Sequence, residues 1–144
     1  MLIRPRVCED LDACVEALAL VHAADRYPVD WPGDPGGWLT PQGLTGAWVA
    51  VEGGVVAGHV GLARGVEVVR LFVVPAARGG ALAGRLLAAV RAAVGGPLEL
   101  EVSSEGAAAI AFYERSGWRR VGSGRAAWLN AAGEPALVHR YVSS

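Results

Sequence analysis

The sequence predicts an α/β protein: one domain built on a mixed β-sheet, with helices on both faces. Three observations carry that reading. A continuous apolar strand, Val68 to Val74, runs through Pro75 into a stretch with Leu82, Leu86, Leu87 and Val90 at helical spacing. The pair Gly53-Gly54 separates two strand-like runs, Thr45 to Glu52 and Val55 to Ala63, which is a two-residue hairpin signal. A further apolar run, Leu98 to Val102, follows the helix, so residues 78 to 93 read as a crossover and the fourth and fifth strands as a parallel pair.

The remaining elements follow in order. Leu2 to Val7 reads as the first strand. Glu9 to Ala24 places Leu11, Val15, Leu18 and Val21 or His22 at helical spacing, with Glu9, Asp10 and Asp12 at the positive end of the dipole. From Asp25 to Gln42 the chain changes character: Pro28, Pro32, Pro35 and Pro41 stand among Tyr27, Trp31, Trp38, Asp25, Asp30 and Asp34. No long helix is expected there, only a short turn around Gly36 to Leu39. Gly106 to Ser116 reads as a short helix closed by Gly117, and Trp118 to Trp128 pairs with Pro135 to Val142 as a final hairpin.

Composition bounds the function. At 144 residues, 53% hydrophobic and 19% charged, residues 1–144 make a single domain. A net charge of −1 gives no electrostatic reason to expect nucleic acid. No apolar run approaches the roughly 18 residues of a membrane helix, and the amino terminus MLIRPR has no apolar signal core, so a cytoplasmic protein without a membrane partner is expected. Cys8 and Cys14 do not have metal-ligand spacing, and His22, His59 and His139 fall on three separate predicted elements, so no metal is expected.

The chemistry concentrates between Glu67 and Leu87. After Pro75 the chain reads Arg78, Gly79, Gly80, Ala81, Leu82, Ala83, Gly84. A helix opening there offers backbone N–H groups without intrahelical partners, and small side chains leave room for a phosphate beside the Arg78 charge. A P-loop needs a Lys-Ser/Thr pair, and Gly84-Arg85-Leu86 lacks it. A dinucleotide fingerprint needs a glycine spacing that this turn does not have.

The stretch resembles motif A of the GNAT superfamily of N-acetyltransferases, a strand followed by Arg/Gln-x-x-Gly-x-Gly/Ala whose amides hold the pyrophosphate of acetyl-CoA. Arg78 and Ala83 match the ends of that motif, while Ala81 stands in place of its middle glycine. A second segment, Ala109-Ile110-Ala111-Phe112-Tyr113-Glu114-Arg115-Ser116-Gly117-Trp118, is similar to the family's Ala-x-x-x-Tyr-x-x-x-Gly-Phe signature, with Gly106 where the family often has Asn. The resemblance covers about Glu67 to Val121. It implies the GNAT fold, with strands four and five splayed, and acetyl-CoA as co-substrate. Arg78 to Gly84 would bind the pyrophosphate, and the backbone of Phe72, Val73 and Val74 would hold the pantetheine arm and acetyl carbonyl.

By the same resemblance Glu67 would act as base through water, and Tyr113, near the cofactor sulfur, would protonate the leaving thiolate. Tyr27, Asp30 and Trp31 would contribute to an acceptor-binding wall, whose rings and carboxylates suit a cationic amine. The acceptor would be a primary amine of a small molecule or peptide, acetylated directly in a ternary complex; homodimers are common in that family. Plainer roles stay open. Glu67 can be a strand-end charge, Tyr113 a packing residue and the Trp/Asp segment a loop over the core edge. His59 and Glu101 are lesser alternatives as base. The competing functions are a GNAT-like module that binds acyl-CoA without catalysis and a structural protein whose apolar residues serve oligomer contacts.

Overall fold

The computed structural model describes residues 1–79 and 81–143. Its elements are β1 Leu2–Pro5, α1 Leu11–Asp25, α2 Pro35–Trp38, β2 Leu44–Glu52, β3 Val55–Ala63, β4 Glu67–Val73, α3 Leu82–Val94, β5 Glu99–Ser103, α4 Ala107–Arg115, β6 Arg119–Leu129 and β7 Pro135–Val142. Single 3-10 turns, Cys8–Asp10 and Pro75–Ala77, stand before α1 and after β4. The succession and the mixed α/β class are those the sequence predicts. The chain forms two compact units, Met1–Gly95 and Gly96–Ser144.

In the first unit β1, β2, β3 and β4 pair antiparallel in chain order. The β2–β3 hairpin closes with Val51 opposite Val56 and Glu52 opposite Val55, and both turn glycines take positive φ, 58° and 79°. That is the backbone a tight two-residue hairpin needs. Every residue of β3 from Val56 to Ala63 is buried, so this strand is covered on both faces. Helices α1 and α3 both pack against it. Their buried residues, Cys14, Ala17, Leu18 and Val21 on α1 and Leu82, Leu86, Leu87 and Val90 on α3, recur at i, i+3, i+4 and i+7 or close to it.

Gly58 sets how closely α3 approaches. A Cβ there would lie 2.9 Å from Leu86 Cδ1 and 3.3 Å from the Phe72 carbonyl oxygen. The missing side chain lets the helix carrying the predicted cradle sit directly on β3. The corner between β1 and α1 is tied by Arg4, which reaches both carboxylate oxygens of Asp10 at 2.7 and 2.8 Å. Asp10 also accepts the Val7 N–H at 2.8 Å, and the Arg4 guanidinium holds its carboxyl down at about 2.

One boundary differs in a way that matters for the site. The crossover helix starts at Leu82, four residues later than the predicted Arg78. Gly79 has φ 87° and Ala81 has φ 61°, and neither conformation can join a right-handed helix. The first closing bond is Arg85 N–H to the Ala81 carbonyl, 3.1 Å.

In the second unit the strands pair antiparallel in the order β5-β7-β6. The β6–β7 connection is organised by Asn130, whose Oδ1 accepts the Ala132 and Glu134 N–H groups at 3.0 and 3.1 Å. Helix α4 ends with two reversed bonds, Trp118 N–H to the Tyr113 carbonyl at 3.0 Å and Gly117 N–H to the Glu114 carbonyl at 3.2 Å, with Gly117 at φ 91°. This is the Schellman closure that Gly117 predicts, and it packs Trp118 edge-on against Tyr113, 5.7 Å between ring centroids.

Candidate active site

The described residues between β4 and α3 place an arginine beside an uncapped helix start. Ala81 is the N-cap of α3 and supplies no side-chain cap, so the N–H groups of Leu82, Ala83 and Gly84 begin the helix without intrahelical partners. Nothing lies within 4 Å of where a Cβ would stand on Gly79 or Gly84, so the approach to these donors is open. Gly80, also predicted to bind the cofactor, lies outside the described residues. Ala81 departs from expectation: read as already helical, it holds a left-handed conformation instead, which costs an L-residue roughly 1 kcal/mol relative to glycine.

Arg78 stands beside the cradle and is engaged from both sides. Its Nε donates to the Val73 carbonyl at 3.2 Å, and its terminal nitrogens pair with both carboxylate oxygens of Asp25, the last residue of α1. Both partners of that pair are well exposed, so it is weakly held and open to exchange with a phosphate. Of the three backbone positions predicted to line the pantetheine arm, Val74 N–H already donates to the Ala57 carbonyl at 2.9 Å and Val73 C=O is taken by Arg78.

A second cationic group lies on the same strand, and the sequence reading assigned it no role. Arg70 is the single charge within the apolar run, and its φ is 52°. This residue sits at the irregularity where pairing shifts from His59–Phe72 to Gly61–Val69. Positive φ in a long side chain persists only where the surroundings impose it. Here His59 does so. Its Nδ1 lies 2.8 Å from the Arg70 carbonyl and its Nε2 lies 3.0 Å from Arg6 Nη1. A guanidinium can only donate, so Nε2 is the acceptor and Nδ1 carries the proton. His59 is fully buried, which pushes its pKa down to about 4, and the ring is neutral with its lone pair occupied. It is a bulge-holding residue; the geometry does not leave it free to take a substrate proton.

The Arg70 side chain is held in one plane. Its Nε donates to the Trp38 carbonyl at 2.8 Å, an orphan acceptor at the end of α2, and its Cζ lies 3.9 Å from the centroid of the Trp38 ring. Tyr27 packs edge-on against the same indole, 5.6 Å between centroids. Burial pushes the Tyr27 phenol up to about 12, opposed by the Arg70 charge. Burial likewise lowers the Arg70 pKa, opposed by Tyr27 and Glu67. The signal in the sequence was this lone arginine in a core strand, where a charge needs a reason to be.

The other predicted acceptor residues separate into two groups. Trp31 packs at a tilt against His22, 5.4 Å between ring centroids, and His22 Nδ1 donates to the Pro28 carbonyl at 2.7 Å, so this ring is pinned to the end of α1. Asp30 is exposed. The remaining acids of the segment are engaged: Asp25 with the distant Arg78, and Asp34 locally as N-cap of α2, accepting Gly37 N–H at 3.1 Å. Glu67 opens β4 half-buried, with Oε1 accepting from Arg64 Nη2 at 3.0 Å. Tyr113 is buried in the second unit against Trp118 and Tyr141, and the Tyr141 hydroxyl donates to Glu114 at 2.6 Å. A concavity of about 570 Å³ in the first unit is lined by Thr45, Trp48, Leu62 and Val94 among others and includes none of the cradle residues. Donor chemistry, rather than volume, locates the site.

The family model described as an acetyltransferase (GNAT) domain matches residues 39–127. No curated protein matches the chain. Among solved structures, a ribosomal-protein-S18-alanine N-acetyltransferase from Escherichia coli is 18% identical, with 99% of this chain and 92% of that one covered and a TM-score of 0.76. A ribosomal-protein-alanine N-acetyltransferase from Brucella melitensis is 20% identical, with 99% of each chain covered and a TM-score of 0.71. An aminoglycoside 6'-N-acetyltransferase complexed with coenzyme A is 17% identical, covering 99% and 96%, with a TM-score of 0.71.

Proposed function

The chain belongs to the GNAT acetyltransferase family, and from that premise we propose that it transfers an acetyl group from acetyl-CoA to a primary amine by direct attack in a ternary complex. The observation that carries this reading is the cradle, an arginine beside an uncapped helix start with open space at Gly79 and Gly84. Those residues fit a pyrophosphate. When bound, acetyl-CoA supplies an acyl carbon already activated toward amines. Arg78 exchanges Asp25 for the phosphate, and the N–H groups of Leu82, Ala83 and Gly84 share its charge. The polar backbone groups of Phe72, Val73 and Val74 not already engaged run along the pantetheine arm.

Glu67 removes the amine proton through water, using Oε2, since Oε1 is held by Arg64. Tyr113 returns a proton to the departing thiolate; the ordinary phenol and thiol values lie within about two units, so the transfer needs no extreme tuning. Neither cysteine takes the acyl group in this scheme. Cys14 is buried and its thiol is pushed up to about 11, which agrees with direct attack rather than a covalent intermediate.

Calorimetric titration with acetyl-CoA, with dephospho-CoA and ATP as comparisons, tests the cradle, and thiol release in an amine screen tests transfer. Micromolar acetyl-CoA binding and turnover that drops at least about tenfold in Tyr113→Phe, with acetyl-CoA affinity kept, is the expected result. Absence of acetyl-CoA binding would sink the reading. Binding without transfer to any amine would instead favour an acyl-CoA-binding module.

A further inference from the structure

Resting on the acetyl-transfer reading, we propose that Arg70 is a carboxylate fork and that the acceptor is a small amino acid-like molecule, an amine carrying a carboxylate next to its amino group. The side chain is preorganised for that task. Nε is spent on the Trp38 carbonyl and one face of the guanidinium on the Trp38 ring, which fixes both its position and its plane. The two terminal nitrogens have no acceptor among the described residues, and neither is sealed from solvent. A planar pair of donors held in one orientation matches a carboxylate bidentately.

No carboxylate among the described residues pairs directly with the fork; the Glu67 charge acts on Arg70 without a hydrogen bond to it. Arg6, the neighbouring cation, is spent on the Leu39 carbonyl, Thr40 Oγ1 and His59 Nε2, none of them anionic. Of the nearby carboxylates, Asp10 is paired with Arg4, Asp25 with Arg78, Asp34 with the start of α2 and Glu67 with Arg64, while exposed Asp30 makes no ion pair with Arg70 or Arg6 among the described residues. A ligand anion is the partner this arrangement lacks. With both hydrogens of Arg6 Nη1 spent on Leu39 and His59, Arg70 is the guanidinium of the two that presents two unengaged terminal nitrogens among the described residues, which suits a monoanionic carboxylate better than a phosphate dianion.

Position completes the case. Arg70 lies two residues before Phe72, about 7 Å of strand from the backbone assigned to the thioester. Glu67, the proposed base, is near enough for its charge to act on Arg70. An acceptor with its carboxylate on the fork is thereby placed on the strand that carries both Glu67 and Phe72. The left-handed backbone of Arg70, held by His59, is the feature that aims the side chain there.

The test compares alanine, phenylalanine and glutamine with their α-amides as acceptors, in the wild type and in Arg70→Gln and Arg70→Lys, with acetyl-CoA calorimetry on each protein. An amide's amino group is the weaker base and more often neutral near pH 7.5, so any preference for the acid runs against intrinsic reactivity. The expected result is a kcat/KM for at least one acid about 30-fold or more above that of its amide. Arg70→Gln brings that ratio below about 3 while acetyl-CoA affinity is kept, and Arg70→Lys, which keeps the charge without the fork, falls between. Equal rates on acid and amide in the wild type, or a ratio that Arg70→Gln leaves unmoved, overturn the fork and leave acetyl transfer intact. Acetyl-CoA binding with turnover on none of the acids overturns it too. Failure of acetyl-CoA to bind removes the acetyl-transfer reading itself. Should Arg70→Gln not fold, the wild-type ratio decides.

Discussion

Two arginines eight residues apart, Arg70 and Arg78, solve opposite problems. Arg78 follows the 3-10 turn, exposed, its charge balanced by an equally exposed Asp25. Arg70 sits within a core strand, half-buried, clamped by a ring and a carbonyl, with its terminal donors unanswered. An exposed pair is cheap to break, so Arg78 can trade one anion for another. A clamped fork has lost its rotamer freedom before any ligand arrives, so it selects by shape. In the function proposed above, the contrast separates a holding group from a choosing group.

The largest expected effect breaks the clamp. His59→Leu removes the acceptor for Arg6 and the donor for the Arg70 carbonyl at a fully buried site, and should cost about 3 kcal/mol in urea unfolding. A loss under about 1 kcal/mol would show that the bulge is held by something else. The same residue predicts a pH slope. Its folded pKa, about 4, lies below the ordinary 6.5, so between those values the unfolded chain takes up a proton that the folded chain refuses. Wild-type stability should therefore fall as pH drops from about 6.5 to about 4, by up to about 3 kcal/mol, and that slope should be missing in His59→Leu. Below pH 4 the Asp10 carboxyl, held at about 2, takes over as the group whose protonation weakens the fold.

Arg78→Ala comes next: acetyl-CoA affinity should weaken about 10- to 100-fold by calorimetry, with little change in Tm, because the group is exposed and contributes to binding rather than folding. Asp25→Asn sharpens the comparison in the other direction. Removing the competing anion should tighten acetyl-CoA binding about two- to fivefold, and weaker binding would mean that Asp25 orients Arg78 instead of blocking it. Ala81→Gly should be smallest. Relief of the left-handed alanine is offset by the freer unfolded glycine, leaving stability within about 1 kcal/mol of wild type.

Most of the fold was legible because its signals are local. The bounds of β3 and β7 match the sequence reading residue for residue, since each is a β-rich run stopped by turn residues. Gly117 announced the end of α4 for the same reason. The start of α3 was not legible in the same way. Ala81, Leu82 and Ala83 suit a helix by composition, and only the backbone angles at Gly79 and Ala81 show the chain still turning. Of the site, the cradle was visible as a motif. Arg70 was visible only as one charge in an apolar strand, and the acids proposed for the acceptor wall could not be sorted into free and engaged.

By itself, then, the sequence determined the class of fold and the order of its elements, and it pointed to the turn proposed as the anion cradle, because periodicity, turn glycines and motif spacing act over a few residues. The tertiary structure alone decided what each charged side chain is for. Arg78 meets Asp25 across 53 residues, Arg6 meets His59 across 53, and Arg70 meets the Trp38 carbonyl across 32. Whether a charge is neutralised, clamped or left facing solvent depends on partners brought together by packing, and no local pattern encodes them.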